Sequence, residues 1–126
     1  MSTDSIAAKY WIGFDLGGTK MQCTLYDESF QPVADKRKRT KGDQGSESGL
    51  QRIESTIRKL LTDNEIAIED LAGIGIGCPG PVEWEKGIVR VAVNLGWENV
   101  PVGTFLKDKF QCPVAVLNDV DAGVYG

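Results

Sequence analysis

The sequence predicts a mixed α/β layer fold. Three observations carry this. Two successive runs, Tyr10 to Leu16 and Met21 to Tyr26, alternate as strands with one buried face do, and a more polar run, Gln31 to Thr40, follows them. One stretch, Leu50 to Leu61, repeats apolar residues at helical spacing. Two short apolar runs, Leu71 to Cys78 and Pro113 to Leu117, flank a second helical stretch. The order is therefore an antiparallel three-strand meander, then helix, strand, helix, strand.

Each element has its own justification. Residues 1–9 read as a flexible lead-in. Ile12, Phe14 and Leu16 share one face of the first strand. Gly17-Gly18 reads as a two-residue hairpin turn, a position that favours φ > 0. Met21, Cys23 and Leu25 form the apolar face of the second strand. Asp27-Glu28-Ser29 is a turn, and Gln31 to Thr40 is a more polar strand near an edge. Gly42 to Gly45 is a loop. Ser48 and Gln51 have capping-box spacing, and Leu50, Ile53, Ile57, Leu60 and Leu61 continue a helix to about Asn64. Leu71 to Cys78 has the composition of a strand buried on both faces. Pro79-Gly80-Pro81 breaks it, and Val82 to Val93 forms a small hairpin turning at Glu85-Lys86-Gly87. Asn94 to Trp97 is a loop. Val102 to Phe110 is a short helix with Phe105 and Phe110 facing the core. Pro113 to Leu117 is a buried strand, and Asn118 to Gly126 opens a further helix.

The totals exclude several function classes. The 126 residues suit one compact domain. A net charge of −4 argues against nucleic-acid binding over the whole surface. The basic run Lys36 to Arg39 alternates faces within a strand, which reads as a solvated edge that discourages edge pairing. Histidine is absent and the three cysteines, Cys23, Cys78 and Cys112, are far apart, so no zinc-finger spacing exists and the thiols read as free and buried. There is no signal-peptide pattern and no apolar run near the roughly 20 residues of a membrane span. The expected location is the cytoplasm, with no membrane partner.

Four stretches could carry chemistry. Asp15-Leu16-Gly17-Gly18-Thr19-Lys20 is neither a Walker A loop nor a GxGxxG fingerprint. It reads as a plain hairpin turn and equally as a phosphate site. In the second reading glycine lets backbone N–H groups face an anion. Thr19 and Lys20 add a hydroxyl and a cation, and Asp15 orients a hydrated Mg²⁺. Asn118-Asp119-Val120-Asp121 lies where a buried strand meets a helix, the place where open α/β sheets bind ligands; the same residues also suit helix capping. Gly80 between two prolines is a rigid turn, either a chain reversal or a presenter of backbone groups to a small polar ligand. The loop beginning at Asn94 could act likewise.

Taken in order, DLGGTK, GIGIGCPGPV, NLGW followed by VPV, and VLNDVDAG resemble the N-terminal half of a ROK-family sugar kinase, the group that includes bacterial glucokinases. The resemblance runs from about Tyr10 to the end of the chain. It implies an actin-like ATPase fold with ribonuclease-H-like domains. It assigns Asp15, Gly17, Gly18, Thr19 and Lys20 to the phosphate motif, with Mg²⁺ held by Asp15 through water. It makes Asp119 the catalytic base, Asn118 a sugar-hydroxyl ligand beside it, and Gly80 and Asn94 part of the sugar pocket. The implied reaction is transfer of the γ-phosphate of ATP to a hexose hydroxyl, glucose to glucose 6-phosphate.

The resemblance further implies that residues 10–126 are one lobe of a two-domain, homodimeric kinase of roughly 300 residues. The zinc motif, the rest of the sugar site and most of the adenosine pocket would lie in the second lobe, and this lobe alone would have negligible activity. Asp121 stands where many members carry Asn, and NDVDAG resembles polyphosphate-using glucokinases; DLGGTK follows the commoner pattern, so ATP is the expected donor. Other ROK kinases of hexoses or N-acetylhexosamines fit the same motifs. A sugar-responsive repressor of the same fold would need a DNA-binding domain ahead of Asp15, where only 14 residues stand. A non-catalytic sugar-binding or scaffolding domain is the third class.

Overall fold

The computed structural model describes residues 9–40, 45–92 and 95–118. The expected lead-in over 1–8, most of the Gly42 loop, Asn94, and the expected helix with Asp119 and Asp121 lie outside the described residues.

Three antiparallel strands open the chain: β1 (Tyr10–Leu16), β2 (Lys20–Tyr26) and β3 (Pro32–Arg39). Helix α1 (Gly45–Asp63) follows, then a 3₁₀ turn at Ile68–Asp70 and strand β4 (Leu71–Cys78). Strands β5 (Val82–Glu83), β6 (Ile88–Ala92) and β7 (Trp97–Val100) form a small antiparallel sheet. Helix α2 (Val102–Phe110) and strand β8 (Val114–Asn118) complete the described chain. The main sheet has the order β3-β2-β1-β4-β8, with β1, β4 and β8 parallel. The meander and its edge strand are as the alternation predicts.

The register explains the core. Ile12 sits opposite Leu25 and beside Ile74, and Phe14 opposite Cys23 and beside Ile76. Leu16 faces Met21, and Val116 extends the Ile76 row on β8. All these side chains are buried on one face. Ile53, Ile57, Leu60 and Leu61 of α1 join them in one cluster with Val102, Leu106 and Phe110 of α2. The Arg58 guanidinium lies 5.0 Å from the centre of the Phe110 ring, linking the two helices.

Three expectations change. The helix begins at Gly45, so Ser48 lies inside its first turn and is not an N-cap. Trp97 begins β7 and is buried; the loop read across Asn94 to Trp97 therefore stops short of it. Neither β4 nor β8 is buried on both faces: Gly75 and Ala115 are exposed, and Leu117 is 45% exposed. Glycine at 73, 75 and 77 makes a run look apolar without supplying side chains to bury, so the composition carries less information than the alternate placement of Ile74, Ile76 and Cys78.

Candidate active site

The parallel strands β1, β4 and β8 end together. Asp15 is beside Gly77, Gly77 beside Leu117, and Cys78 beside Asn118. Two strand spacings put Asp15 and the end of β8 about 10 Å apart. The sheet thus brings the first and last of the predicted site stretches to one carboxyl edge, with Asp15 on the face away from the helices.

The glycine turn differs from the two-residue form. Strand β1 ends at Leu16 and β2 begins at Lys20, so residues 17–19 make the connection. Gly17 does not have a left-handed backbone. Its requirement is steric: a Cβ there would lie 2.8 Å from the Lys20 carbonyl oxygen. The Gly17 N–H donates to that same oxygen at 2.9 Å. Thr40, at the end of β3 and only 2% exposed, braces the loop twice. Its hydroxyl donates to the Gly17 carbonyl at 2.8 Å, and its N–H donates to the Thr19 carbonyl at 2.8 Å. Among the described residues the N–H groups of Gly18 and Thr19 donate to no carbonyl. The Gly17 and Thr19 carbonyls are engaged while these two donors meet no described carbonyl, which suits an anion. Thr19 and Lys20 are exposed.

At the other end of the edge, the Asn118 side-chain amide donates to the Gly80 carbonyl, across 38 positions of sequence. Gly80 has φ +82°, and a Cβ there would sit 1.9 Å from the Val91 carbonyl oxygen. The Pro-Gly-Pro turn is therefore clamped between β6 and β8, next to the end of the strand that leads into Asp119. Two residues predicted from separate motifs meet directly; Asn94 and Asp119 lie outside the described residues.

A cavity of about 300 Å³ lies on this face, lined by Asp15, Gln22, Thr24, Gly75, Gly77 and Leu117 among others. A second, of about 250 Å³, is lined by Asp15, Lys20, Met21, Gln22 and Arg37. Among the described residues no group of three or more ligating side chains occurs. An exposed Asp15 beside free N–H donors does fit a hydrated Mg²⁺ carried by phosphates. Cysteine chemistry does not fit: the three described thiols are buried, and burial pushes Cys23 up to about 12.

Thr40, which braces the glycine loop, and Arg37, which lines the second cavity, carry no site signal of their own in the sequence. Thr40 and Arg37 look like ordinary strand residues until β3 is registered against β2.

A glucokinase of Halalkalibacterium halodurans is 29% identical over 94% of this chain and 36% of its own length. A xylose repressor of Caldicellulosiruptor bescii is 32% identical over 91% of this chain and 29% of its own. Among solved structures, a ROK-family glucokinase from Streptomyces griseus in complex with glucose and AMPPNP superposes with a TM-score of 0.74 at 25% identity, covering 87% of this chain and 33% of that one. The chain spans about a third of the length of these relatives. The model of the ROK family matches residues 11–126, and the chain belongs to that family.

Proposed function

We propose that residues 10–126 are the phosphate- and sugar-binding lobe of a two-lobed, homodimeric hexose kinase that transfers the γ-phosphate of ATP to glucose. The observation that carries it is the shared carboxyl edge: the braced glycine loop with Asp15 on β1, and the Asn118–Gly80 pair on β8. The likeness to a glucokinase solved with glucose and AMPPNP supports the choice of substrates.

In this reading the free N–H groups of Gly18 and Thr19, with Lys20, hold the donor's phosphates. Asn118 accepts or donates to a sugar hydroxyl while its amide is fixed by Gly80. Asp119, the next residue, accepts the proton of the attacking hydroxyl as it moves in line on the γ-phosphate. Mg²⁺ at Asp15, when bound, neutralises charge on the transferring group. The second lobe supplies the adenosine pocket and closes over the sugar.

A second reading, a sugar-responsive regulator, is favoured by the 32% identity to a xylose repressor. Asp119→Asn in the two-lobed protein separates them. In a kinase, turnover with glucose and ATP falls about 10²–10⁴-fold while glucose binding persists. Wild-type protein that binds sugar yet turns over no hexose or N-acetylhexosamine, with either ATP or polyphosphate, is a regulator.

A further inference from the structure

The basic run on β3 divides between the two faces of the sheet. Lys36 pairs in register with Cys23 and Lys38 with Met21, on the helix side, where Lys36 meets Asp63 at 3.5 Å. Arg37 pairs with Gln22, and Gln22 pairs with Asp15, on the other side. Arg39 stands directly opposite Lys20. Three cations therefore cluster on the Asp15 face beside the glycine loop. Arg37 and Lys20 line one cavity of about 250 Å³ with Asp15. Among the described residues none of the three makes an ion pair. Like charges directly opposite across a strand pair are destabilising. Here Lys20 and Arg39 stand so, with Arg37 on the neighbouring row, and a bound anion would relieve the repulsion.

We infer that Arg37 and Arg39 extend Lys20 into a subsite for a phosphoanhydride chain, taking the phosphates behind the one that is transferred. This rests on the kinase reading and adds two donor-binding residues to it. The chemistry fits a linear chain better than a lone phosphate. The free N–H groups of Gly18 and Thr19 suit one phosphate, and the arginine forks are spread along β3 for the following ones. A nucleoside triphosphate and inorganic polyphosphate share this chain.

Inorganic tripolyphosphate is the probe, titrated calorimetrically into the 126-residue chain at low salt. Tripolyphosphate should bind more tightly than orthophosphate. Arg37→Gln should weaken it about fivefold or more, a magnitude suited to an exposed, partly screened contact. Lys38→Gln removes the same charge from the opposite face and should change it less than twofold. Equal losses in the two variants, or no preference for tripolyphosphate over orthophosphate, would overturn the inference. Binding is read without sugar or turnover, so a silent kinase assay would sink the proposed function and leave this result standing. If the two-lobed protein is an active kinase, Arg37→Gln should raise the KM for ATP, for polyphosphate, or for both, which tells the two donors apart. An unchanged KM for both would remove Arg37 from the donor site.

Discussion

Thr40 shows how one side chain can shape a site it need not touch. Its hydroxyl and its N–H hold two carbonyls of the glycine loop. Valine keeps the shape and the N–H but deletes the hydroxyl. Thr40→Val should lower stability by about 1 kcal/mol, the net value of one such hydrogen bond. It should also speed amide exchange at Gly17 and Thr40, whose N–H groups donate within the loop, while Thr40→Ser restores protection. A loop whose exchange is unchanged by Thr40→Val is not braced by that hydroxyl. Gly80 offers a harsher test. Its φ of +82° disfavours any side chain, and the Val91 carbonyl oxygen leaves no room for one. Gly80→Ala should shift β6 and break the Asn118 contact, at a cost of about 2–3 kcal/mol, seen as a lowered urea midpoint. The glycine-rich wording of both loops was visible in the sequence. The reasons were not: Gly17 is needed for close approach and not for a left-handed backbone, and Thr40 looks like any last residue of a strand. Both facts depend on contacts between segments far apart in the chain.

Elements were legible where a period was sustained. The meander's alternation and the apolar stripe of α1 both survive in the structure because each element has one wet and one buried face. Signals failed where a residue type stood for something else. Ser48 has capping spacing but sits within a helix that starts three residues earlier. The apolar count of β4 comes partly from glycines, whose outer face is bare. Trp97 begins a strand, pairing with Ala92, and its ring packs on Gly49, a contact that no local pattern encodes. A Cβ on Gly49 would come within 2.6 Å of the Trp97 ring. Replacing glycine by alanine in a helix normally stabilises by about 1 kcal/mol. Overpacking against a buried ring costs about 1–3 kcal/mol. The second effect should win, so Gly49→Ala should destabilise by about 1 kcal/mol in urea melts. A stabilised Gly49→Ala protein would mean that the ring moves freely and that α1 does not depend on β7.

At the scale of the whole molecule, the candidate site occupies one face and edge of the main sheet, while the thiols are buried away from it. Cys23 and Cys78 lie on strands whose helix-side residues form the core, and Cys112 follows α2. Burial pushes the Cys23 thiol from 9.0 to about 12, and raises Cys112 as well. The sign of the pH effect follows. Below pH 9 the thiol is protonated in both folded and unfolded chains, and its contribution is constant. Above pH 9 the unfolded chain loses the proton while the folded chain keeps it, so unfolding becomes easier as pH rises towards 12. Between pH 8 and 10 the Cys23 share of this loss is about 1 kcal/mol. Lysines and tyrosines titrate in the same range, so the measurement is a difference: urea melts of wild-type protein and Cys23→Ala at pH 8 and pH 10. The variant starts lower because of the small cavity, and its stability should fall less over the interval, by that amount. Parallel losses in the two proteins would mean that water reaches Cys23 in the folded state, and that the core beneath β2 is looser than its packing implies.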